Sequence, residues 1–155
     1  MTPEETALLQ RREAELIEFH NELMPVLVEF IDRLGIKSPH EVSLHADRYA
    51  PQLGKILENM EVNSEVNRAW LTARMIYFVG EYFVQKYKGH WFVYDIPNDP
   101  TFGRYVVGQF RQAANPAMIV DPSEVALNYV DTPPPRNLVK KLTDLDAILM
   151  RSAHS

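Results

Sequence analysis

The stretch GEYFVQKYKGHWFVYD (residues 80–95) joins two periodicities across one glycine, and this junction decides the fold class. Before Gly89, apolar residues recur every three or four positions, which is typical of a helix. After it, residues 90–95 are mostly aromatic or β-branched, which is typical of a strand. Gly89 suits the left-handed position that ends many helices. The chain is therefore predicted to pass from a helix directly into a sheet.

The helix before the junction is predicted to span residues 65–88 and to lie at the centre of the fold. Its main apolar stripe comprises Val66, Ala69, Trp70, Ala73, Ile76, Tyr77, Gly80, Phe83, Val84 and Tyr87. Leu71, Met75, Phe78, Val79 and Tyr82 make much of the other side apolar. A helix that is apolar nearly all round is a buried one, so we expect Trp70, Ile76, Phe83 and Trp91 to be buried. Because glycine weakens a helix, Gly80 predicts the close approach of another backbone.

The remaining segments predict an α+β fold. It is a mostly helical single domain (residues 1–155) with a long central helix and a small three-stranded antiparallel sheet. The first helix is capped by Thr2, kinked or split at Pro25 and closed by Gly35; the second region opens at Ser38 and divides at Pro51. Strands are expected at residues 90–95, 104–110 and 117–120, and helices at residues 65–88, 122–130 and 136–151. The C-terminal segment (residues 133–155), linked by three prolines, is expected to dock or to exchange.

Composition excludes several classes of function. The chain has 155 residues, enough for a core that needs no cross-links. It has no cysteine, which rules out disulfides, thiolate metal sites and cysteine nucleophiles. A net charge of −5 argues against nucleic-acid binding by phosphate neutralisation. No signal peptide and no apolar run of about 20 residues is seen, so we expect no membrane association and a cytoplasmic location.

No motif predicts a metal, a cofactor or a catalytic residue. His40 and His45 are five residues apart, whereas a zinc-binding helix places two histidines four apart on one face. His20, His90 and His154 have no partner at ligand spacing. The sequence contains neither a glycine-rich phosphate loop nor a nucleophile elbow. An enzyme is therefore disfavoured, although a catalytic set assembled from distant residues would escape this search.

A polar line on the central helix supplies the first candidate binding residues. Asn67, Arg74, Glu81, Gln85 and Lys88 follow one another at intervals of seven, seven, four and three. The line is either the solvated edge of the helix or part of a structural ion-pair network between Arg74 and Glu81. Alternatively, Glu81 lines a cleft under the sheet and has a raised pKa.

Aromatic and acidic residues near the hairpin supply the other candidates. Strand alternation places Trp91 and Val93 on one face, and Phe92 and Tyr94 on the other. The face that does not pack on the central helix is either covered by another helix or presents aromatics to a partner. The aromatic candidates of the hairpin are Trp91, Tyr94 and Tyr105. A basic partner surface would meet the acids outside the core, or these acids only keep the protein soluble. They are Glu61, Glu65, Asp95, Asp99, Asp121 and Glu124, of which Asp99, in the turn Asn98-Asp99-Pro100, is the strongest candidate.

Residues 70–130 resemble a group of small bacterial domains of uncharacterised function. The resemblance lies in Gly80-Glu81 on a helix, Gly89-His90-Trp91 at a strand, and Val120-Asp121-Pro122 before a helix. The group usually has two adjacent glycines before the tryptophan, and His90 replaces the second. Some of these domains are immunity proteins for contact-delivered toxins. The resemblance implies a non-enzymatic protein-interaction domain of the immunity or adaptor type; the alternative is a small-molecule binder or hydrolase with a cleft at Glu81.

Overall fold

The computed structural model describes residues 1–151, which are mostly helical. His154 and the rest of residues 152–155 lie outside the described part. The elements in chain order are α1 (Pro3–Arg33), a short 3-10 turn (Pro39–Glu41), α2 (Val42–Leu57), α3 (Glu65–Tyr87), β1 (His90–Val93), β2 (Tyr105–Gly108), α4 (Pro122–Asp131) and α5 (Leu138–Leu149). The α+β class is confirmed.

Helix α3 is the central element, because it contacts α1, α2, α4 and both strands. The Ser64 hydroxyl caps its first turn by accepting the Asn67 N–H at 3.1 Å. Its end differs from the prediction: Lys88, with φ +57°, takes the left-handed conformation, and its N–H donates to the Val84 carbonyl. Gly89 serves another purpose, since a Cβ there would lie 2.6 Å from the Phe110 ring.

The most deeply buried face of α3 is the side opposite the predicted main apolar stripe. Leu71, Met75, Phe78 and Val79 are at most 2% exposed. Of the four residues expected to be buried, Phe83 and Trp91 are, whereas Trp70 and Ile76 are only half-buried. Ile76 is half-buried because it borders an open cleft, together with Ala73 and Tyr77. Trp70 packs against Phe30 and Arg74.

Within residues 1–151 the sheet has two strands, so the predicted third strand is wrong. Strands β1 and β2 pair antiparallel, with His90 opposite Gly108 and Val93 opposite Tyr105. Residues 117–120 contribute a single bridge, in which Val120 and Val107 exchange hydrogen bonds of 2.8 and 2.9 Å. The segment cannot extend further, because Asn115 turns the chain just before it: its side chain accepts the Ala117 N–H, and its carbonyl accepts the Met118 N–H.

The prolines of the first two helices interrupt neither of them. Helix α1 runs through Pro25, and α2 runs through Pro51. Both prolines are exposed, so the carbonyl that each leaves unpaired can be solvated. The break in α2 lies at His45 instead, where φ is −137° and ψ is 47°. The predicted end of α1 is confirmed, since Gly35 adopts φ +77° after the helix.

The C-terminal helix α5 is docked on the same chain. Leu138 and Leu142 are 1% exposed, and α5 packs on α2. Its Asp146 carboxylate accepts hydrogen bonds from three side chains of α3: the Tyr82 hydroxyl at 2.7 Å, the Tyr87 hydroxyl at 2.5 Å and the Lys86 ammonium at 3.0 Å. Apolar packing and one multiply bonded carboxylate thus hold α5 in place.

A buried cation precedes α5. The Arg136 side chain is 4% exposed and donates from Nη1 to the carbonyls of Leu57 (3.1 Å) and Met60 (2.6 Å). The Leu57 carbonyl lies at the end of α2, where the partial negative charge of the helix stabilises a cation, and the Met60 carbonyl lies just beyond that end. Arg136 therefore ties the segment before α5 to the end of α2.

Candidate functional site

The two halves of the Gly-Glu and Gly-x-Trp motif meet in space. A Cβ built on Gly80 would lie 1.8 Å from Cζ2 and 2.1 Å from Cη2 of Trp91, so the indole ring lies directly against the helix backbone. The close approach predicted at Gly80 is therefore made by an aromatic side chain and not by another backbone. Trp91 also contacts Phe19 of α1, with ring centroids 4.9 Å apart. The indole is thus enclosed between α3 and α1.

Glu81 lies beside this ring and is half-buried. Burial raises the pKa of its carboxyl group, and hydrogen bonding from Gln85 and Trp91 opposes the rise. The buried indole Nε1 has no partner of regular hydrogen-bond geometry among the described residues, although it is near enough to Glu81 to affect that pKa. The indole N–H is therefore close to the Glu81 carboxyl group but does not form a hydrogen bond of regular geometry with it.

Gln85, one turn further along, bridges the break in α2. Its Oε1 accepts the Ala46 N–H at 2.8 Å, and its Nε2 donates to the Val42 carbonyl at 2.9 Å. These two backbone groups pair directly in an unbroken helix. The middle of the polar line on α3 is thus committed to another helix and does not face solvent as a whole.

Arg74 is turned away from Glu81. Its guanidinium lies 4.4 Å from the centre of the Trp70 ring and donates to the Trp70 carbonyl at 3.1 Å. Within residues 1–151, Arg74 and Glu81 form no ion pair. Glu81 lines none of five depressions found on that part of the surface. The structure therefore does not bring these two candidate residues together in a cleft.

The remaining candidates lie along the hairpin. Tyr105 is half-buried; its hydroxyl donates to the Arg12 carbonyl at 3.0 Å, and its ring lies 4.6 Å from that of Phe19. Asp99 is held in its turn, since its carboxylate accepts the Thr101 N–H at 2.8 Å. Desolvation and then the nearby Asp99 charge raise the pKa of Tyr94. Asp99 is partly buried, which makes it a less open charge than the sequence predicts.

A groove of about 470 Å³ lies between α4, α5 and the segment before α4. Its half-buried apolar residues are Ile119, Val125 and Leu145, its acids are Asp121, Glu124 and Asp144, and its other lining residues are Thr101, Val120, Asn128 and Lys141. Three acids against one lysine make the groove acidic. Sequence reasoning identified Asp121 and Glu124 as surface acids, but it missed the groove, because Leu145 and Asp144 reach it only when α5 docks.

The three acids of the groove differ in how they are held. Asp121 caps α4 by accepting the Ser123 N–H, and it also accepts a hydrogen bond from Arg104 at 2.7 Å. Asp144 forms an exposed ion pair with Lys140 at 2.9 Å. Glu124 is exposed and has no ion-pair partner in the described part of the chain. Glu124 is therefore open to a partner, and Asp144 can be reached if a partner replaces the exposed Lys140 in its ion pair.

The structure and the comparisons add little about chemistry. Within residues 1–151, no three histidine or acidic side chains are grouped as metal ligands would be. In the same residues, no helix combines the length and the apolarity needed to cross a bilayer. Comparison with protein-family models, curated proteins and solved structures gave no significant match. Function is therefore argued from the geometry alone.

Proposed function

We propose that this chain is a non-enzymatic protein-interaction domain of the adaptor or immunity kind, that it works in the cytoplasm, and that it binds a basic partner in the α4–α5 groove. The observation that carries the proposal is the pairing of an apolar floor with an acidic rim in one groove of about 470 Å³. The complementary partner is a protein segment that carries lysine or arginine beside an aliphatic side chain.

The two parts of the groove serve different purposes in such binding. Burial of Ile119, Val125 and Leu145 by an aliphatic side chain removes apolar surface from water, which supplies affinity. The carboxylates of Glu124 and Asp144 steer a basic segment and fix its register. The overall charge of −5 has the same sign as the groove, so the whole domain favours a basic partner.

The alternative function, a small-molecule binder or hydrolase at Glu81, has weaker support. Its favourable feature is the half-buried carboxyl group whose pKa is raised by burial. Its neighbours, however, are Trp91, which fills the space above Gly80, and Gln85, which is bonded to α2. A substrate at Glu81 would have to displace the indole ring.

The test is partner capture with a charge-reversed groove. The protein is immobilised in lysate of its source at low and at moderate salt, and capture is compared for wild type and the Glu124→Lys/Asp144→Lys variant. The matched control is Glu18→Lys/Glu29→Lys, which makes the same charge change at exposed positions on α1. We expect the groove variant to bind the captured protein about tenfold more weakly, and the control to bind it as wild type does.

Two outcomes would refute the proposal. Equal weakening by both variants would show that net charge, and not the groove, determines capture. Capture that neither salt nor the groove variant affects would place the interface elsewhere. If nothing is captured while a metabolite raises the melting temperature of the wild type but not of Glu81→Gln, the alternative function is supported.

A further inference from the structure

A second cleft, of about 400 Å³, lies on a different side of α4 from the groove, where α1, α3, the hairpin and α4 meet. Its lining residues are Arg12, Phe19, Ala73, Ile76, Tyr77, Gly103, Arg104, Tyr105, Ser123 and Leu127. A volume of this size falls within the range of small-molecule sites, which are mostly apolar with a few converging polar groups. This cleft has that composition.

Three aromatic rings form one wall of the cleft. The Phe19 ring lies between Tyr77 and Tyr105, with centroid distances of 5.5 and 4.6 Å. The Tyr77 ring is nearly perpendicular to that of Phe19, at 71°. Such a wall offers both ring faces and ring edges to a flat ligand. The structure thus favours a planar occupant over a bulky one.

Two guanidinium groups supply the charge of the cleft. Arg104 is oriented by the Asp121 carboxylate at 2.7 Å, and Arg12 lies 3.7 Å from Glu15. A guanidinium group has five N–H donors, and each acid pairs with only some of them. Arginine pairs with carboxylate groups through two parallel hydrogen bonds. The remaining donors therefore suit a small carboxylate at the mouth of the cleft.

We propose that this cleft is a binding site for a small aromatic carboxylate, whose ring lies against the Phe19–Tyr77–Tyr105 wall and whose carboxylate pairs with Arg12 and Arg104. The Tyr77 hydroxyl, which has no hydrogen-bond partner among the described residues, is a further donor beside the ring. None of the residues that line this cleft also lines the α4–α5 groove, although Arg104 is paired with Asp121, which does.

The test uses 2-naphthoate as a probe, with neutral 2-naphthamide as its matched control. Both are titrated into the ¹⁵N-labelled protein, and backbone amide shifts are followed by NMR. We expect naphthoate to move the amides of Ala73, Gly103 and Leu127, and to bind at least about tenfold more tightly than naphthamide. Arg12→Gln should weaken naphthoate about tenfold, whereas Arg11→Gln, at the exposed neighbouring residue, should leave the affinity unchanged.

The controls separate binding from damage to the fold. The amide spectrum of Arg12→Gln away from the cleft must overlay that of wild type; if it does not, Tyr77→Phe, which removes only the hydroxyl, replaces it and should weaken naphthoate. Equal affinity for naphthoate and naphthamide would overturn the carboxylate assignment. Shifts that cluster outside the cleft, or no shifts at millimolar probe, would overturn the site. None of these results bears on capture of a partner by the α4–α5 groove.

Discussion

Replacing Gly80 by alanine tests the packing that unites the helix and the strand. The new methyl group would meet Cζ2 of Trp91 at 1.8 Å, which is 1.6 Å short of the 3.4 Å at which ordinary contact begins. The ring has little room to retreat, because Trp91 is 6% exposed and lies against Phe19. The structure therefore predicts a substantial loss of stability from a substitution that normally strengthens a helix.

The magnitude follows from two opposing effects. Alanine gains about 1 kcal/mol of helix propensity over glycine. Overpacking of a filled core costs about 1–3 kcal/mol and sometimes more. Expulsion of an indole that buries roughly 150–250 Å² would cost about 4–6 kcal/mol at about 25 cal/mol per Å². Because an overlap at 1.8 Å is severe, the upper end of the overpacking range applies, and about 3 kcal/mol of cost against about 1 kcal/mol of gain leaves a net loss of about 2 kcal/mol if the ring shifts. If the ring leaves, the same subtraction gives a net loss of about 3–5 kcal/mol.

Denaturant melts of a double-mutant cycle provide the assay. In a Trp91→Val background the obstructing ring is absent, so Gly80→Ala should become neutral or stabilise by up to about 1 kcal/mol. Gly54→Ala is the matched control in α2, since its methyl group would lie 3.2 Å from the Leu138 Cβ, and it should change stability by less than about 1 kcal/mol. A Gly80→Ala loss below about 0.5 kcal/mol, or the same loss with and without Trp91, would refute the reasoning.

Two further predictions concern buried charges. Burial raises the pKa of the Glu81 carboxyl group in the folded protein above its ordinary value of 4.5. The folded state therefore holds this proton to higher pH than the unfolded state does, and stability falls as pH rises from the unfolded pKa through the folded pKa. Glu81→Gln should therefore gain stability relative to wild type between pH 4 and 7 in urea melts, and a constant difference would contradict this. Arg136→Met should cost about 1.5–3 kcal/mol, because it removes the charged donor to the end of α2. In the same melts, Arg33→Met, at an exposed arginine near the end of α1, should cost less than about 0.5 kcal/mol, and equal losses would contradict the capping role.

The features that the sequence predicted correctly depend on local contacts. Thr2 caps α1 as expected, and Ser64 and Asp121 cap α3 and α4 in the same way, because each bonds to a backbone N–H within three residues. The transition at residues 88–90 from helix to strand is also local. The left-handed residue is nevertheless Lys88 and not the adjacent glycine. Gly89 instead leaves room for the distant Phe110 ring.

The errors arise where distant segments decide the outcome. When both sides of a helix are apolar, the pattern does not show which side the other elements cover, so Trp70 was expected to be more buried than it is. The third strand is an exception, because a local turn at Asn115 precedes the segment and Val120 forms a single bridge to Val107. The groove could not be predicted because Val125 and Leu145 lie on two helices whose docking no local pattern specifies.

The polar line of α3 shows why a conspicuous acid in a sequence is a weak guide to function. A polar side chain on a central helix is costly to bury unless its hydrogen bonds are made. Gln85 meets this condition because α2 is broken at His45, and the break is tolerable because Gln85 bonds to both Ala46 and Val42. Each feature thus explains the other without a ligand. Glu81 lies one turn away, beside the Trp91 ring. The polar line therefore connects α3 to α2, and the open groove and the cleft are the better candidate binding sites.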